Sequence, residues 1–430
     1  MVNMSHTPNL CERRDPHRWV IFGVFAGIYF FVYFHRVSTA VIVPDLLAAF
    51  ATDATALGMM SSMYFYIYAF EQPLVGYLAD RIGPRRVVGL WSIAAAAGCV
   101  LFGLAPNIAW ASVARALIGF GVGGVYVPTI KAFSQWFRRQ EFATMLGLLM
   151  AVGNLGAVVA TTPLAWMAGA WGWRTAFFTI GAITMALGLL ALATTQDHDG
   201  RGVVKGAGGG ARCRPRPPTV TLQTVWQVLA SARCWLVAII FFGVYGTLVT
   251  FQGLWATPFL MTALKVERLS ASNLTMLIAI GVILGSPSLG WLGDRLVWRK
   301  ADAVVVCLFI YTLIWGGILF GYRPLGLTGM SLLLLALGIV SGGFLSFLWA
   351  FVRETTPPEI LGLTSGILNP APFLGVAAFQ TITGTILNRT ERIGTDYSIQ
   401  GYEDALLACL SGIVVCLGLA LLLRKIRTEA

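Results

Sequence analysis

A dozen long, mostly apolar stretches constrain this chain more than any other feature. They lie at about 19–43, 57–78, 86–105, 108–130, 142–166, 173–194, 234–260, 270–292, 301–321, 326–351, 361–386 and 404–423. A hydrocarbon core of about 30 Å is crossed by about 20 helical residues, and a backbone in lipid must satisfy its own hydrogen bonds. The runs therefore predict an all-α membrane protein with twelve transmembrane helices. A chain that is 57% hydrophobic and 11% charged, with a mean hydropathy of +0.76, has no water-soluble alternative. The first run is not a signal peptide: it follows an 18-residue polar start, is too long, and carries His35 and Arg36.

The formal net charge of +11 is explained by topology. With the N-terminus cytoplasmic, 22 of the 30 Lys and Arg fall in cytoplasmic segments and 6 on the other side. The positive-inside rule then places both termini in the cytoplasm, and no nucleic-acid partner is needed. The seven Cys show no CxxC spacing and no His at ligand spacing, so neither a metal site nor a disulfide framework is expected. The GAGGGA of the segment 197–218 lacks the Gly-Lys-Ser/Thr ending of a phosphate loop, and no cofactor is expected either.

That segment is rich in Gly, Pro and Arg and reads as a flexible basic linker. It divides the chain into a six-helix half at 1–196, a linker at 197–232 and a second six-helix half at 233–430. The halves echo each other. GYLADRIGPRR at 76–86 returns as GWLGDRLVWRK at 290–300, so that Gly76 and Asp80 correspond to Gly290 and Asp294. Gly147 and Gly156 likewise correspond to Gly366 and Gly375. Six-plus-six parallel repeats place a solute site at their interface near mid-membrane and expose it alternately to either side.

GYLADRIGPRR resembles the signature that follows the second helix of major facilitator superfamily transporters, matching it at Gly76, Leu78, Ala79, Asp80, Arg81, Gly83, Arg85 and Arg86. RALIGFG is similar to that family's helix 4 signature at Arg115, Gly119 and Gly121, with Ile118 where Gln is usual. The resemblance implies that the first motif, with Gly290, Asp294 and Arg295 of its echo, is a gating latch between the halves. Gly76 and Gly83 are expected to permit close helix approach. Asp80 is expected to accept from a helix N-terminus or an arginine. YFHRVSTAVIVPDL at 33–46, in which Pro44 is expected to end the first helix, resembles the anion:cation symporter and organophosphate permease branch, as do KAFSQWFRRQEFATMLGL at 131–148 and GWRTAFF at 172–178. The resemblance implies a secondary transporter of a small anionic solute, coupled to protons or another cation, in the bacterial inner membrane or one derived from it. Departures limit the carry-over. His35 and Val122 stand where proton-coupled members have acids, and run 234–260 lacks the second arginine of the organophosphate permeases, offering Tyr245 and Gln252. Run 5 lacks the GPxxGG pattern of drug:proton antiporters.

Four ionisable residues sit inside the runs, each costing about 2.5–3.5 kcal/mol at helix centre: His35, Arg36, Glu71 and Arg115. Counted from the outer ends of their helices, Arg36 and Arg115 both lie about 10–12 Å deep. They would form a positive site for a carboxylate or phosphate. Tyr29, Tyr33 and Arg36 share one helical face, as do Arg115, Gly119, Val122 and Tyr126. Arg115 is equally open to a structural or coupling role. Glu71 would couple transport to protons if it exchanged one there; the other reading is a buried carboxyl bonded to helix 11. His35 points about 100° from Arg36, which favours packing between helices over a role as proton carrier. Tyr245, Gln252 and Trp255 fall on one face of helix 7, and Asn369 and Gln380 on one face of helix 11. Arg36, Tyr29, Tyr33, Arg115, Tyr245, Gln252 and Asn369 are thus the candidate solute-binding residues.

No nucleophile–base or metal constellation points to an enzyme. A sensor or scaffold on the same fold is the alternative of another class. The YFHRV segment also resembles permeases of this superfamily in magnetosome membranes, linked to iron or iron-chelate supply. The expected partners are the solute and the lipid bilayer, and the chain is expected to be a monomer.

Overall fold

The computed structural model describes residues 17–138, 141–195, 222–295, 299–357, 360–393 and 396–425. The linker at 197–218 lies outside them. In the first half, α1 spans His17–Phe50, α2 Ala54–Ile82, α3 Pro84–Leu104, α4 Ile108–Gly123, α5 Tyr126–Trp136, α6 Phe142–Val159, α7 Thr162–Trp171 and α8 Trp173–Thr194. A short α9 at Leu222–Leu229 stands inside what was expected to be linker. The second half holds α10 (Ala232–Thr250), a π-helical turn (Phe251–Trp255), α11 (Ala256–Leu264), α12 (Arg268–Arg295), α13 (Lys300–Thr355), α14 (Leu361–Leu368), α15 (Pro370–Leu387) and α16 (Ile399–Lys425).

Among the described residues nine helices are long and apolar enough to cross a membrane, and the pair α6–α7, bent by 40°, makes a tenth. Two further crossings complete the twelve. The 56 residues of α13 would stretch roughly 84 Å as one rod, and they double back at Gly326, where φ is 57°. The helix α2 carries Glu71, Asp80 and Arg81 and is not among those nine, yet it packs along α15 of the other half. Within this all-α fold, the loop between α15 and α16 pairs two short strands of two residues each, β1 (Arg392–Ile393) antiparallel to β2 (Asp396–Tyr397). Pro44 does not end the first helix, since α1 continues through it to Phe50. Neighbouring helices and local adjustment re-satisfy the backbone that a proline frees inside a membrane protein.

The repeat is visible where helices touch. A Cβ added at Gly156 would overlap the Phe30 carbonyl oxygen of α1, and one at Gly375 would overlap that of Phe242 in α10. Gly119 lies in the same way against Tyr64 O of α2, and Gly338 against Ile278 O of α12. Equivalent helix pairs in the two halves are thus held at backbone contact by equivalent glycines.

The halves meet on the face opposite the termini. Arg268 at the start of α12 pairs with Asp45 of α1 through two bonds of 2.8 and 2.9 Å. Asp53, which caps α2 by accepting from Ala56 N, also accepts from Asn388, while the Tyr397 hydroxyl accepts from Ala54 N at 2.7 Å. The described ion pairs on the terminal side, Arg18–Glu141, Asp80–Lys131 and Asp302–Arg424, each stay within one half. The conformation is closed on the opposite face.

Candidate functional site

Between the halves lies a cavity of about 600 Å³. Arg36 is the only charged side chain among its described lining residues. Its Nη1 donates to the Tyr245 hydroxyl and its Nη2 to that of Tyr68, both at 3.3 Å. The guanidinium carbon lies 4.4 Å from the centroid of Tyr33 and 5.2 Å from that of Phe373. The Nε is buried without a hydrogen-bond partner, and among the described residues no carboxylate pairs with the group. Such a cation retains donors for an anion that enters the cavity.

Six of the seven expected solute-binding residues line this space: Tyr29, Tyr33, Arg36, Tyr245, Gln252 and Asn369. The hydroxyls of Tyr29 and Tyr33 lie 3.6 and 3.9 Å from Met150 Sδ. Arg115 does not line it. It is fully buried, with Nη1 and Nη2 both donating to the His35 carbonyl at 3.2 Å. It meets the α1 backbone, whereas the Arg36 guanidinium enters the cavity. Tyr126, placed with Arg115 by helical spacing, does reach the cavity, because the helix breaks between Gly123 and Tyr126.

Two other facial assignments are corrected. Trp255 turns away to donate to Thr383 Oγ1 at 2.8 Å, since the π-helical turn interrupts the 3.6-residue period. Asn369 sits at the joint between α14 and α15, and Gln380 is fully buried elsewhere with both amide atoms unpartnered. Sequence reasoning missed Tyr68, Phe373, Asn154 and Trp349. Only Tyr68 had a signal, an aromatic at i+4 from Tyr64 on a helix bearing a buried acid.

Glu71 is not bonded to helix 11. It accepts from Trp91 Nε1 of α3 at 3.2 Å, and its Oε1 is buried, unpartnered and pressed against Gly123. His35 is fully buried, its Nε2 3.5 Å from Cys99 Sγ and its ring 6.4 Å from that of Phe177. It packs between α1, α3 and α8.

In the gating motif, Asp80 pairs with Lys131 Nζ at 2.8 Å rather than with an arginine or a helix end, so it joins α2 to α5 within one half. Gly76 and Gly290 face open space, while Gly83 serves a corner at φ 88°, a conformation that side chains resist. Arg81 donates to Tyr77 and Arg85 to the Leu192 carbonyl, and Arg86 is exposed. Asp294 and Arg295 lie in the last turn of α12. Among the described residues nothing lies within 4 Å of a Cβ placed on Gly76. Among the described residues no three His, Cys, Asp or Glu are grouped so as to hold a bare metal ion.

Two six-helix halves around a central cavity, sealed on one membrane face, define a membrane carrier. Residues 25–380 match the family model described as Major Facilitator Superfamily, and the chain belongs to that family. It is 25% identical over 91% of its length to 92% of the probable sulfoacetate transporter of Cupriavidus necator. It is 24% identical over 82% of its length to 85% of the D-galactonate transporter of Escherichia coli. Both agree with the branch that segments 33–46, 131–148 and 172–178 resemble. Among solved structures, an inward-facing, unoccupied bacterial homologue of the human lysosomal transporter Spinster superposes with a TM-score of 0.76 at 17% identity, covering 97% of this chain and 100% of that one.

Proposed function

We propose that this carrier moves a small organic anion, an organic acid, sugar acid or phosphate ester, by alternating access, with proton or cation coupling and both termini cytoplasmic. The observation that carries the reading is Arg36, a guanidinium held in the cavity by phenols and ring faces with no carboxylate to neutralise it. An unpaired cation in a low-dielectric site is costly, and an incoming anion offsets that cost through charge-assisted bonds. The named substrates of the two relatives, sulfoacetate and D-galactonate, are anions. Glu71, the one buried acid among the described residues of the first half with an unpartnered oxygen, is the coupling candidate.

The test is uptake of organic acids, sugar acids and phosphate esters into vesicles containing the purified protein, with binding followed by thermal shift. Arg36→Ala is expected to abolish binding of the stabilising anion. Arg36→Lys keeps the charge but loses the fork and is expected to weaken binding at least tenfold, about 1.4 kcal/mol. A neutral or cationic ligand, or full binding by Arg36→Ala, refutes the proposal.

A further inference from the structure

We infer that the solute bound at Arg36 carries a single negative charge, on a carboxylate or sulfonate attached to a neutral body, and that the cavity discriminates against dianions, phosphate monoesters included. The inference rests on the anion reading above and sharpens it.

The argument is a count of charges. Arg36 is the one charged side chain that the described lining residues offer. The second intramembrane arginine, which would have made a two-cation clamp, is withdrawn: Arg115 is fully buried behind α1 and spends both Nη groups on the His35 carbonyl. The remaining polar lining, Asn154, Gln252, Ser286, Ser346 and Asn369, is neutral and suits hydroxyls or amides on the body of a solute. A monoanion on Arg36 leaves the filled cavity neutral. A dianion leaves a net charge in a medium where each uncompensated charge is expensive. Rings cover the guanidinium, with Tyr33 at 4.4 Å and Phe373 at 5.2 Å, so it is met along its edge, where a planar carboxylate or a sulfonate accepts two parallel bonds.

The geometry also shows where a second cation would fit. A Cβ on Gly253 would come within 2.6 Å of the Arg36 carbonyl, so the π-helical turn crosses α1 at the level of Arg36, and the neighbouring Gln252 faces the cavity there.

The experiment measures dissociation constants on the full chain at pH 8 for two matched pairs, gluconate with glucarate and 2-hydroxyethanesulfonate with sulfoacetate, together with glucose 6-phosphate. In at least one pair the monoanion is expected to bind tenfold or more tightly than its dianion, and glucose 6-phosphate is expected to bind more weakly than gluconate. Gln252→Arg, or Gln252→Lys should the first not fold, is expected to narrow or reverse the gap. Dianions that bind as tightly as their monoanions, with all binding lost in Arg36→Ala, overturn the single-charge inference and leave the anion reading standing. Binding that survives Arg36→Ala, or no binding by any of the five probes, removes both.

Discussion

Replacing Asp45 by Asn is expected to release the face on which the two halves now meet. The Asp45–Arg268 pair is bidentate, at 2.8 and 2.9 Å, and each side chain is 26% exposed. Exposed pairs contribute about 0–1 kcal/mol, whereas a hydrogen bond to a charged group is worth about 1.5–3 kcal/mol. A two-bond pair largely shielded from water falls between these, at about 1–2 kcal/mol. Since α1 and α12 belong to different halves, the contact exists only while this face is closed, and its whole energy acts on the equilibrium between the two conformations. At 1.4 kcal/mol per factor of ten, the loss shifts that equilibrium about 5–30-fold toward opening. Spin-label distances across this face, measured in lipid nanodiscs, report the populations directly. Arg268→Gln is expected to shift them as Asp45→Asn does, and the double variant to add little, because both remove one interaction. High salt is expected to reproduce part of the shift in the wild type. Unchanged distance distributions in both single variants would show that the Asp53–Asn388 and Tyr397 contacts hold this face without the ion pair.

Three further outcomes are expected. Glu71→Gln, which keeps a group able to accept from Trp91, should flatten the pH dependence of solute accumulation while sparing binding; a wild-type pH response in the variant would make Glu71 structural and pass the question to His35. Asp80→Asn should cripple transport and leave the protein folded in the membrane, which uptake rates beside size-exclusion profiles will decide; uptake at the wild-type rate would remove the latch. Gly156→Val and Gly375→Val should each lower the melting temperature, by an overpacking cost of about 1–3 kcal/mol or more, and a wild-type melt in either would contradict the close approach seen there.

The crossings and most of the cavity were legible in the sequence because both depend on local periods. Run lengths set the membrane spans, and the spacing of Tyr29, Tyr33 and Arg36 put three lining residues on one face. Arg115 was misplaced because a residue count gives depth along a helix but not which side of its neighbour a side chain meets. Trp255 was misassigned where the helix departs from its regular period, at the π-helical turn, and Gln380 because a shared helical face does not say how far along it the cavity reaches. The partner of Asp80 was illegible for another reason: Lys131 lies 51 residues away, and the pairing depends on how α2 and α5 pack in one conformation of the carrier. The same holds for Glu71, whose neighbours come from α3 and the end of α4.

The paired glycines, finally, bear on how such a chain can evolve. At Gly156 and Gly375, as at Gly119 and Gly338, the obstacle to any larger residue is a main-chain carbonyl of the facing helix, an atom common to all twenty amino acids. No second-site change of side chain can remove it. A lineage that lost one of these glycines could recover only by shifting a whole helix or by reversion, whereas cavity positions such as Gln252 and Asn369 are free to be rewritten one at a time. The duplicated scaffold thus remains frozen in both copies while the solute it serves drifts.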